Sequence, residues 1–360
     1  MKKINFFFIM PIIAMAICLN SCSKKEFKQI YGVLWYLPTM TLEQANNLKN
    51  YDLIVIDYEN FINNPESVNQ LKMQNNKIKI ILYLNQTEIF EPMWNDKPWS
   101  IKLLEELNKR PEWWLRQPDG SKLGAWTNMY ALDMRDNCPL IKGERYWQFI
   151  AKKFLNILRD KKIDGCLIDN CWGDDPVGIG WLATYRGQNG FDFNRDGQPD
   201  DDLDKISRNW TSGMKNYIRS IRKAKGKNFI IIANPGNDSY REVDGKQFET
   251  FPYPYHNLKG GNNWEINMRI AAGYKIALIN PDPDNYWIGL CSSVMLDNCI
   301  FVNSQNTPYS EEYDLKLGKP LGAMKRIGKD TYARKFDNGQ VYIKDGQTAW
   351  IKYSDGSVRK

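Results

Sequence analysis

The chain has 360 residues, of which 42% are hydrophobic and 25% charged. That composition excludes an intrinsically disordered protein, and the length is enough for one large domain or two ordinary ones. The formal net charge of +7 includes no block of consecutive Lys and Arg, which argues against a nucleic-acid-binding arm. A single histidine, His256, excludes a His-rich zinc site, and any Ser-His-Asp or Cys-His triad would depend on that residue.

The stretch 1–21 at the start of the chain predicts a signal peptide. Two lysines precede an almost entirely apolar stretch, which ends in the sequence LNSC at residues 19–22. A short apolar segment of this kind is typical of a secretion signal, and its end resembles that of a bacterial lipoprotein. We therefore expect cleavage before Cys22, lipidation of that cysteine and a linker over residues 22–29. The protein is expected to be exported and anchored to a bacterial membrane, with the outer membrane favoured. The alternative is an uncleaved membrane anchor.

Apolar runs alternate with helical patterns along the rest of the chain. Continuous apolar runs of five to seven residues are typical of parallel strands that are buried on both faces. The predicted strands cover residues 31–36, 53–58, 78–84, 130–134, 165–169, 229–233, 247–251 and 275–279. Helices are predicted over residues 144–161, 203–225 and 265–272, and the first of them has a wide apolar face.

Eight strands separated by helices or long loops predict a (β/α)8 barrel, or TIM barrel, over residues 30–322. A doubly wound open sheet is the alternative, but no G-x-G-x-x-G or P-loop motif follows any predicted strand. Residues 323–360 change to short alternating patterns around Asn338-Gly339 and Asp345-Gly346, which are hairpin turn signals. We expect these residues to form a small antiparallel β appendage on the barrel.

Carboxylates and amides recur at the carboxyl ends of the predicted strands, where a TIM barrel builds its active site. They are Asp57, Glu59, Asn85, Asp133, Asp169, Asn170, Asn234 and Glu249. Each of them taken singly also fits a helix cap or a turn. Their recurrence at one end of an apolar scaffold instead predicts a substrate-binding cleft.

Two of these acids predict glycoside hydrolysis, which needs one proton donor and one nucleophile or base, and no metal or cofactor. Asp169 and Glu249 both end apolar strands and are both followed by aromatic residues. We expect Asp169 to be the nucleophile or base and Glu249 to be the proton donor. Asp57, Glu59 and Asp133 are the reserve candidates, and the other strand-end residues are expected to bind substrate.

Tryptophans predict a sugar ligand, because indole faces stack on the C–H faces of sugar rings. Between the third and fourth predicted strands lie Trp94, Trp99, Trp113, Trp114 and Trp126, and Trp172 follows Asp169. We expect Trp126 and Trp172 to contact the substrate. About half of the tryptophans are expected only to cover the outer helices.

Residues 192–204, DFNRDGQPDDDLD, predict a structural calcium loop. Oxygen-bearing side chains recur at alternating positions, as in the first half of an EF-hand loop. The predicted ligands are Asp192, Asn194, Asp196, Gln198 and Asp200. The twelfth position holds Leu203 instead of Glu, so the geometry must differ from that of an EF-hand. The alternative is a solvated acidic loop that caps the following helix.

Several short motifs resemble the hypothetical glycosyl hydrolase family 15. They are YALD at 130–133, CP at 138–139, YW at 146–147, DGCLIDN at 164–170, FETF at 248–251 and YARKFDNGQV at 332–341. The resemblance implies a TIM-barrel hydrolase that acts on a poly- or oligosaccharide, and Asp169 and Glu249 fall on matching positions.

We therefore expect an exported, lipid-anchored and monomeric glycosidase that binds carbohydrate and no nucleic acid. The alternative from a different class is a non-catalytic glycan-binding lipoprotein on the same scaffold. A polysaccharide deacetylase would normally use a His-containing metal site, for which His256 alone is insufficient. A polysaccharide lyase is a further alternative, because Arg135 could neutralise the carboxylate of a uronate.

Overall fold

The computed structural model describes residues 29–173, 176–184, 188–235, 240, 242–252, 263–303 and 307–360. Fifteen strands lie in this part of the chain: β1 (Tyr31–Trp35), β2 (Leu53–Asp57), β3 (Lys79–Asn85), β4 (Glu88–Phe90), β5 (Met129–Ala131), β6 (Gly165–Asp169), β7 (Ile230–Ala233), β8 (Gly245–Phe251), β9 (Ile276–Pro281), β10 (Cys299–Asn303), β11 (Lys325–Gly328), β12 (Thr331–Phe336), β13 (Gly339–Lys344), β14 (Thr348–Tyr353) and β15 (Val358–Arg359). The predicted signal peptide, Cys22 and His256 lie outside the described residues.

The α-helices of the described residues are α1 (Leu42–Asn47), α2 (Tyr58–Asn63), α3 (Pro65–Gln74), α4 (Pro98–Asn108), α5 (Tyr146–Leu158), α6 (Pro176–Thr184), α7 (Leu203–Lys225), α8 (Asn263–Ala271) and α9 (Tyr286–Ser293). The three predicted helices correspond to α5, α7 and α8. No helix in the described part of the chain is long and apolar enough to cross a membrane.

The predicted TIM barrel is confirmed. Parallel strands close it in the order β1-β2-β3-β6-β7-β8-β9-β10, and β10 pairs with β1. One of the eight predicted barrel strands is wrong. The run at residues 130–134 contributes only to β5, which pairs antiparallel with β4 outside the barrel, and the eighth barrel strand is β10. Because Ile81 pairs directly with Gly165, β3 and β6 are neighbours and the chain between them makes an excursion of its own.

Apolar side chains fill the inside of the barrel. The buried cluster there consists of Leu34, Leu53, Val55, Ile81, Leu167, Ile232, Leu278, Ile300 and Val302. Tyr36 and Tyr83 pack against this cluster, with ring centroids 4.5 Å apart. Tyr36 directly follows β1 and Tyr83 lies near the carboxyl end of β3, so their rings form a floor between the apolar interior and the open end of the barrel.

The appendage is confirmed as a five-stranded antiparallel sheet in the order β11-β12-β13-β14-β15. The predicted hairpins are present: the first turns at Asp337-Asn338, one residue before the predicted Asn338-Gly339, and the second turns at Asp345-Gly346. One face packs on the barrel beside α9, where the Trp287 indole donates a hydrogen bond to the Ala349 carbonyl at 2.9 Å. Arg334, which is buried, donates to the Val294 carbonyl at 2.9 Å and pairs with Asp297.

Candidate functional site

Asp169 lies at the carboxyl end of β6, directly above the tyrosine floor. The Tyr83 hydroxyl donates to Asp169 Oδ2 at 2.5 Å, and the Asn234 amide donates to Asp169 Oδ1 at 2.9 Å. The Gln86 amide donates to the backbone carbonyl of Asp169 at 2.8 Å. Two parts of the chain, β3 and the residue after β7, therefore orient the carboxylate, and Gln86 holds the backbone of the same residue.

Glu249, near the end of β8, shares a hydrogen-bond donor with Asp169. The Asn234 Nδ2 atom donates to Glu249 Oε2 at 3.0 Å as well as to Asp169 Oδ1 at 2.9 Å. Since both oxygens bind one nitrogen, their separation cannot exceed the combined length of these two hydrogen bonds. The structure therefore brings together the two acids that the sequence predicts as a pair.

Electrostatics distinguish Asp169 from an ordinary surface carboxylate. Burial raises the pKa of Asp169 to about 6, and the negative charge of Glu249 acts in the same direction, while hydrogen bonds from Tyr83 and Asn234 oppose the shift. Burial also raises the pKa values of the Tyr36 and Tyr83 phenols well above the ordinary value, with the charge of Asp169 adding to it. Both phenols therefore stay protonated at neutral pH, and Tyr83 can serve as a hydrogen-bond donor to the carboxylate.

A left-handed residue follows each of the two acids. Asn170 has a φ of 49° and Thr250 has a φ of 54°. This conformation is strained for a β-branched residue such as threonine. At Thr250 the pairing of β8 with β9 also shifts register between Glu249 and Phe251, as in a β-bulge. Bulges next to active sites redirect side chains, which accounts for the exposed position of Glu249 at the end of an otherwise buried strand.

A third carboxylate, Glu88 on β4, adjoins this pair and is absent from the sequence-based prediction of the site. It is 3% exposed, accepts from the Asn170 amide at 2.9 Å and accepts from the backbone N–H of Ala125 at 3.0 Å. Burial raises the pKa of Glu88 to about 7, and the charge of Asp169 contributes. Its position shortly after the end of β3 is the available signal, but nothing in the sequence links it to residues 125 and 170.

Two predicted substrate contacts after β2 have structural partners instead. Asp57 is buried, pairs with Lys97 at 3.1 Å and caps α2 by accepting from the backbone N–H of Glu59 at 2.8 Å. Burial raises the pKa of Asp57, against the opposing charge of Lys97. The fully buried Glu59 accepts from the backbone N–H of Ser100 at 2.6 Å in the first turn of α4. The capping alternative therefore describes both residues.

The side chains of Asn85 and Asp133 also have partners within the protein. The Asn85 side-chain oxygen stabilises the turn after β3 by accepting from the backbone N–H groups of Thr87 and Glu88, both at 3.2 Å. Asp133 follows β5, outside the barrel, and forms a two-fold contact with Arg135 at 2.9 and 2.8 Å. Asp133 therefore does not lie at the end of a barrel strand, because the strand that precedes it does not belong to the barrel. The same contact occupies the guanidinium of Arg135, the residue on which the lyase alternative depends.

The tryptophans divide between core and surface. Trp172 is 5% exposed, its ring lies 6.3 Å from that of Trp210, and its carbonyl accepts from Tyr240. This burial leaves little ring surface for a sugar and does not support the predicted substrate contact. Trp113 and Trp114 are likewise buried. Trp126 is 41% exposed and directly follows Ala125, whose backbone N–H binds Glu88.

The predicted calcium loop has most of its oxygens bound to its own backbone. Asp192 accepts from the N–H groups of Asp196 and Gly197 at 3.2 and 3.0 Å, and Asp196 accepts from Gln198 N–H at 2.8 Å. Asp200 accepts from Phe193 N–H at 2.6 Å, and the Asn194 amide donates to Asp196 at 3.0 Å. Among the described residues no group of three or more His, Cys, Asp or Glu is arranged to hold a metal. In this conformation the loop does not form a cation cage, and calcium binding stays a prediction.

Paired carboxylates at the open end of a (β/α)8 barrel define a class of protein that acts on a ligand at its strand ends. Within that class, residues 72–279 match the model of the hypothetical glycosyl hydrolase family 15, and the chain belongs to this family. The matched stretch contains both Asp169 and Glu249. No curated protein is significantly similar to the chain.

Two solved structures share the fold. The first, a noncanonic maltogenic alpha-amylase from Thermotoga neapolitana, is 9% identical with a TM-score of 0.50, and the match covers 91% of this chain and 89% of that one. The second, a Flavobacterium johnsoniae GH31 dextranase in complex with isomaltotriose, is 10% identical with a TM-score of 0.51. That match covers 80% of this chain but only 37% of the dextranase. At these identities the likeness supports the barrel and leaves the substrate open.

Proposed function

We propose that the protein is a retaining glycoside hydrolase, with Asp169 as nucleophile and Glu249 as proton donor. The observation that carries the proposal is the donation of the single Asn234 nitrogen to both carboxylates, which separates their oxygens by no more than two hydrogen-bond lengths, of 2.9 and 3.0 Å. Retaining enzymes have their two carboxyl groups about 5–5.5 Å apart, whereas inverting enzymes need about 6.5–9.5 Å to admit a water molecule. The short reach between the two oxygens that share Asn234 favours the closer, retaining spacing.

The hydrogen bonds of Asp169 and the solvent exposure of Glu249 support this division of roles. Both oxygens of Asp169 accept hydrogen bonds, so its orientation is fixed and the carboxylate is ionised above a pKa of about 6. A fixed, ionised oxygen suits attack on an anomeric carbon. Glu249 is exposed, so it can exchange protons with solvent between the two halves of the reaction.

The proposed reaction has two steps. In the first, Asp169 attacks the anomeric carbon while Glu249 transfers its proton to the departing glycosidic oxygen, which gives a glycosyl ester on Asp169 and a free alcohol. In the second, Glu249 takes a proton from water as the water oxygen attacks the same carbon and releases Asp169. Tyr83 and Asn234 hold Asp169 throughout, and the exposed ring of Trp126 offers a stacking surface for a neighbouring sugar.

A glycan panel tests the activity. It includes maltooligosaccharides and isomaltotriose, suggested by the names of the two structural neighbours, together with acidic polysaccharides. Asp169→Asn and Glu249→Gln should each abolish hydrolysis of any glycan that the wild type cleaves, whereas Asp355→Asn, in an exposed turn of the appendage, should not. Retention should appear by NMR as a first product with the anomeric configuration of the substrate. Full activity in both acid variants would rule out the pairing, and binding without cleavage by the wild type would favour the non-catalytic alternative.

We also propose export and lipid anchoring through Cys22, supported by the apolar segment and the LNSC sequence at residues 19–22. Expression with a radiolabelled fatty acid should label the wild type and leave Cys22→Ala unlabelled. Label in the Cys22→Ala protein would exclude this anchor.

A further inference from the structure

The appendage carries most of the net charge of the protein. Residues 323–360 contain nine Lys and Arg residues and four Asp residues, which is +5 of the formal +7. The rest of the chain is therefore almost neutral. A strongly basic surface confined to one small unit attracts anionic partners to that unit.

The strand register places four lysines on the outer face of the appended sheet. Lys335 pairs with Gln340, Gln340 with Lys352, and Lys344 with Thr348, while Lys325 lies opposite Ala333. All four lysine residues are exposed. Within the described residues no ion pair joins them to a carboxylate. The four aspartates of this stretch lie in turns at the ends of the strands, so the strands contribute no acid to this face.

An aromatic pair lies at the centre of the same face. Tyr342 pairs with Trp350 across β13 and β14, and their rings stack with centroids 4.9 Å apart and planes at 3° to each other. Both side chains are half-buried, whereas the neighbours on the opposite face, Val341 and Ile351, are fully buried. The next residue in the same row is the small Ala333, beyond which lies Lys325. The outer face thus combines flat apolar rings with surrounding ammonium groups.

We propose that this face binds an acidic polysaccharide, such as a uronate-containing chain, away from the carboxylates of the barrel. The rings would stack on the C–H faces of the sugars, and the lysines would pair with carboxylates along the chain. The choice of a polysaccharide over another polyanion rests on the proposed glycosidase function. The binding site itself does not require Asp169 or Glu249, because the sheet packs on the barrel beside α9.

Affinity electrophoresis of the full chain in detergent, through gels containing polygalacturonate, tests this site. The Asp169→Asn protein is used throughout, so that binding is measured without cleavage. A triple variant with Lys335→Gln, Lys344→Gln and Lys352→Gln should bind at least tenfold more weakly. Its matched control carries Lys77→Gln, Lys102→Gln and Lys109→Gln, three exposed lysines of the barrel, and has the same net charge. That control should bind like the parent protein.

Trp350→Ala keeps the charge and should also weaken binding at least tenfold. An unchanged Tm of the lysine triple variant would show that its sheet remains folded. Equal binding to polyglutamate would reduce the site to ion exchange and overturn the proposal. Tighter binding to duplex DNA or to vesicles of phosphatidylserine would reassign the face to another partner. Retention by neutral dextran alone, or no retention in any gel, would also overturn the proposal. Because none of these measurements involves hydrolysis, they stand apart from the test of the glycosidase.

Discussion

The two ends of the barrel hold their carboxylates in opposite ways. Asp164 precedes β6, and Asp244 precedes β8. Asp164 binds Lys72 and Lys79 at 2.9 Å each, and Asp244 binds Arg222 at 2.5 Å and Lys275 at 3.0 Å. Burial opposes ionisation of both acids, but hydrogen bonds from these cations and from backbone N–H groups outweigh it and lower both pKa values.

At the other end of the barrel, Asp169 and the nearby Glu88 have hydrogen-bond donors but no ion pair within the described residues. Their pKa values rise to about 6 and about 7. Ionisation therefore stabilises one end of the barrel and costs stability at the other. Costly, perturbed carboxylates grouped at the ligand-binding end are typical of an active site.

The largest expected effect separates the two ends by activity. On the glycan that the wild type cleaves, Asp169→Asn should lower kcat by about 10³-fold or more, because an amide cannot replace the attacking carboxylate. Asp164→Asn should keep kcat within a few-fold. Initial rates of reducing-sugar release measure both, and comparable losses in the two variants would remove the functional distinction between the ends.

The next effect concerns Glu88, whose ionisation should destabilise the folded protein as pH rises. Its raised pKa means that the folded state holds a proton more tightly than the unfolded state, so stability falls as pH rises from about 4.5 to about 7. Glu88→Gln should therefore raise the free energy of unfolding by about 1–3 kcal/mol at pH 8 and have little effect at pH 4. Urea unfolding at both pH values checks this, and a loss of stability at pH 8 would contradict it.

Asp164→Asn should do the reverse by a smaller amount. A lowered pKa contributes stability above the unfolded pKa of about 4, and this stability is lost as pH falls through the folded pKa. We expect the substitution to cost about 1–2 kcal/mol at pH 7, since the ion pairs are partly exposed, and less near pH 2. Comparing urea midpoints of this variant and of the wild type across pH tests the sign. A constant cost at every pH would mean that packing and not charge is responsible.

The smallest effect concerns the acidic loop at residues 192–204, which belongs to neither set of strand-end acids. If the loop rearranges to bind calcium, millimolar calcium should raise the Tm of the wild type by a few °C, corresponding to about 1 kcal/mol of linkage. Asp196→Ala should remove that increase. An identical Tm in calcium and in EDTA would leave the loop as a cap held by its own hydrogen bonds.

The sequence predicts the barrel and the appendage because local patterns determine them. Buried parallel strands read as apolar runs, and the two hairpins carry their own turn residues. It does not predict which run pairs with which. Residues 130–134 have the same apolar character as a barrel strand, yet they lie in the excursion, and β10 at Cys299–Asn303 takes the eighth place. Strand neighbours are long-range contacts, which periodicity does not encode.

The candidate site shows the same division. Asp169 and Glu249 can be predicted because each ends an apolar run, so the barrel itself brings them to one edge. Glu88 cannot, because its role depends on residues 125 and 170, which meet only in the folded protein. The burial of Trp172 could not be predicted, because a tryptophan after a strand has the same appearance in sequence whether it faces the ligand or the core.

The excursion between β3 and β6 has a consequence for engineering. It leaves the barrel at the end of β3 and returns at the start of β6, which pairs directly with β3, so the ring of eight strands closes without it. It nevertheless supplies Glu88 and the exposed Trp126. A segment of this kind can be exchanged between related proteins as one cassette, provided that the contacts of residues 86 and 88 are kept. Such chimeras would retain the same pair of acids while presenting a different wall to the ligand.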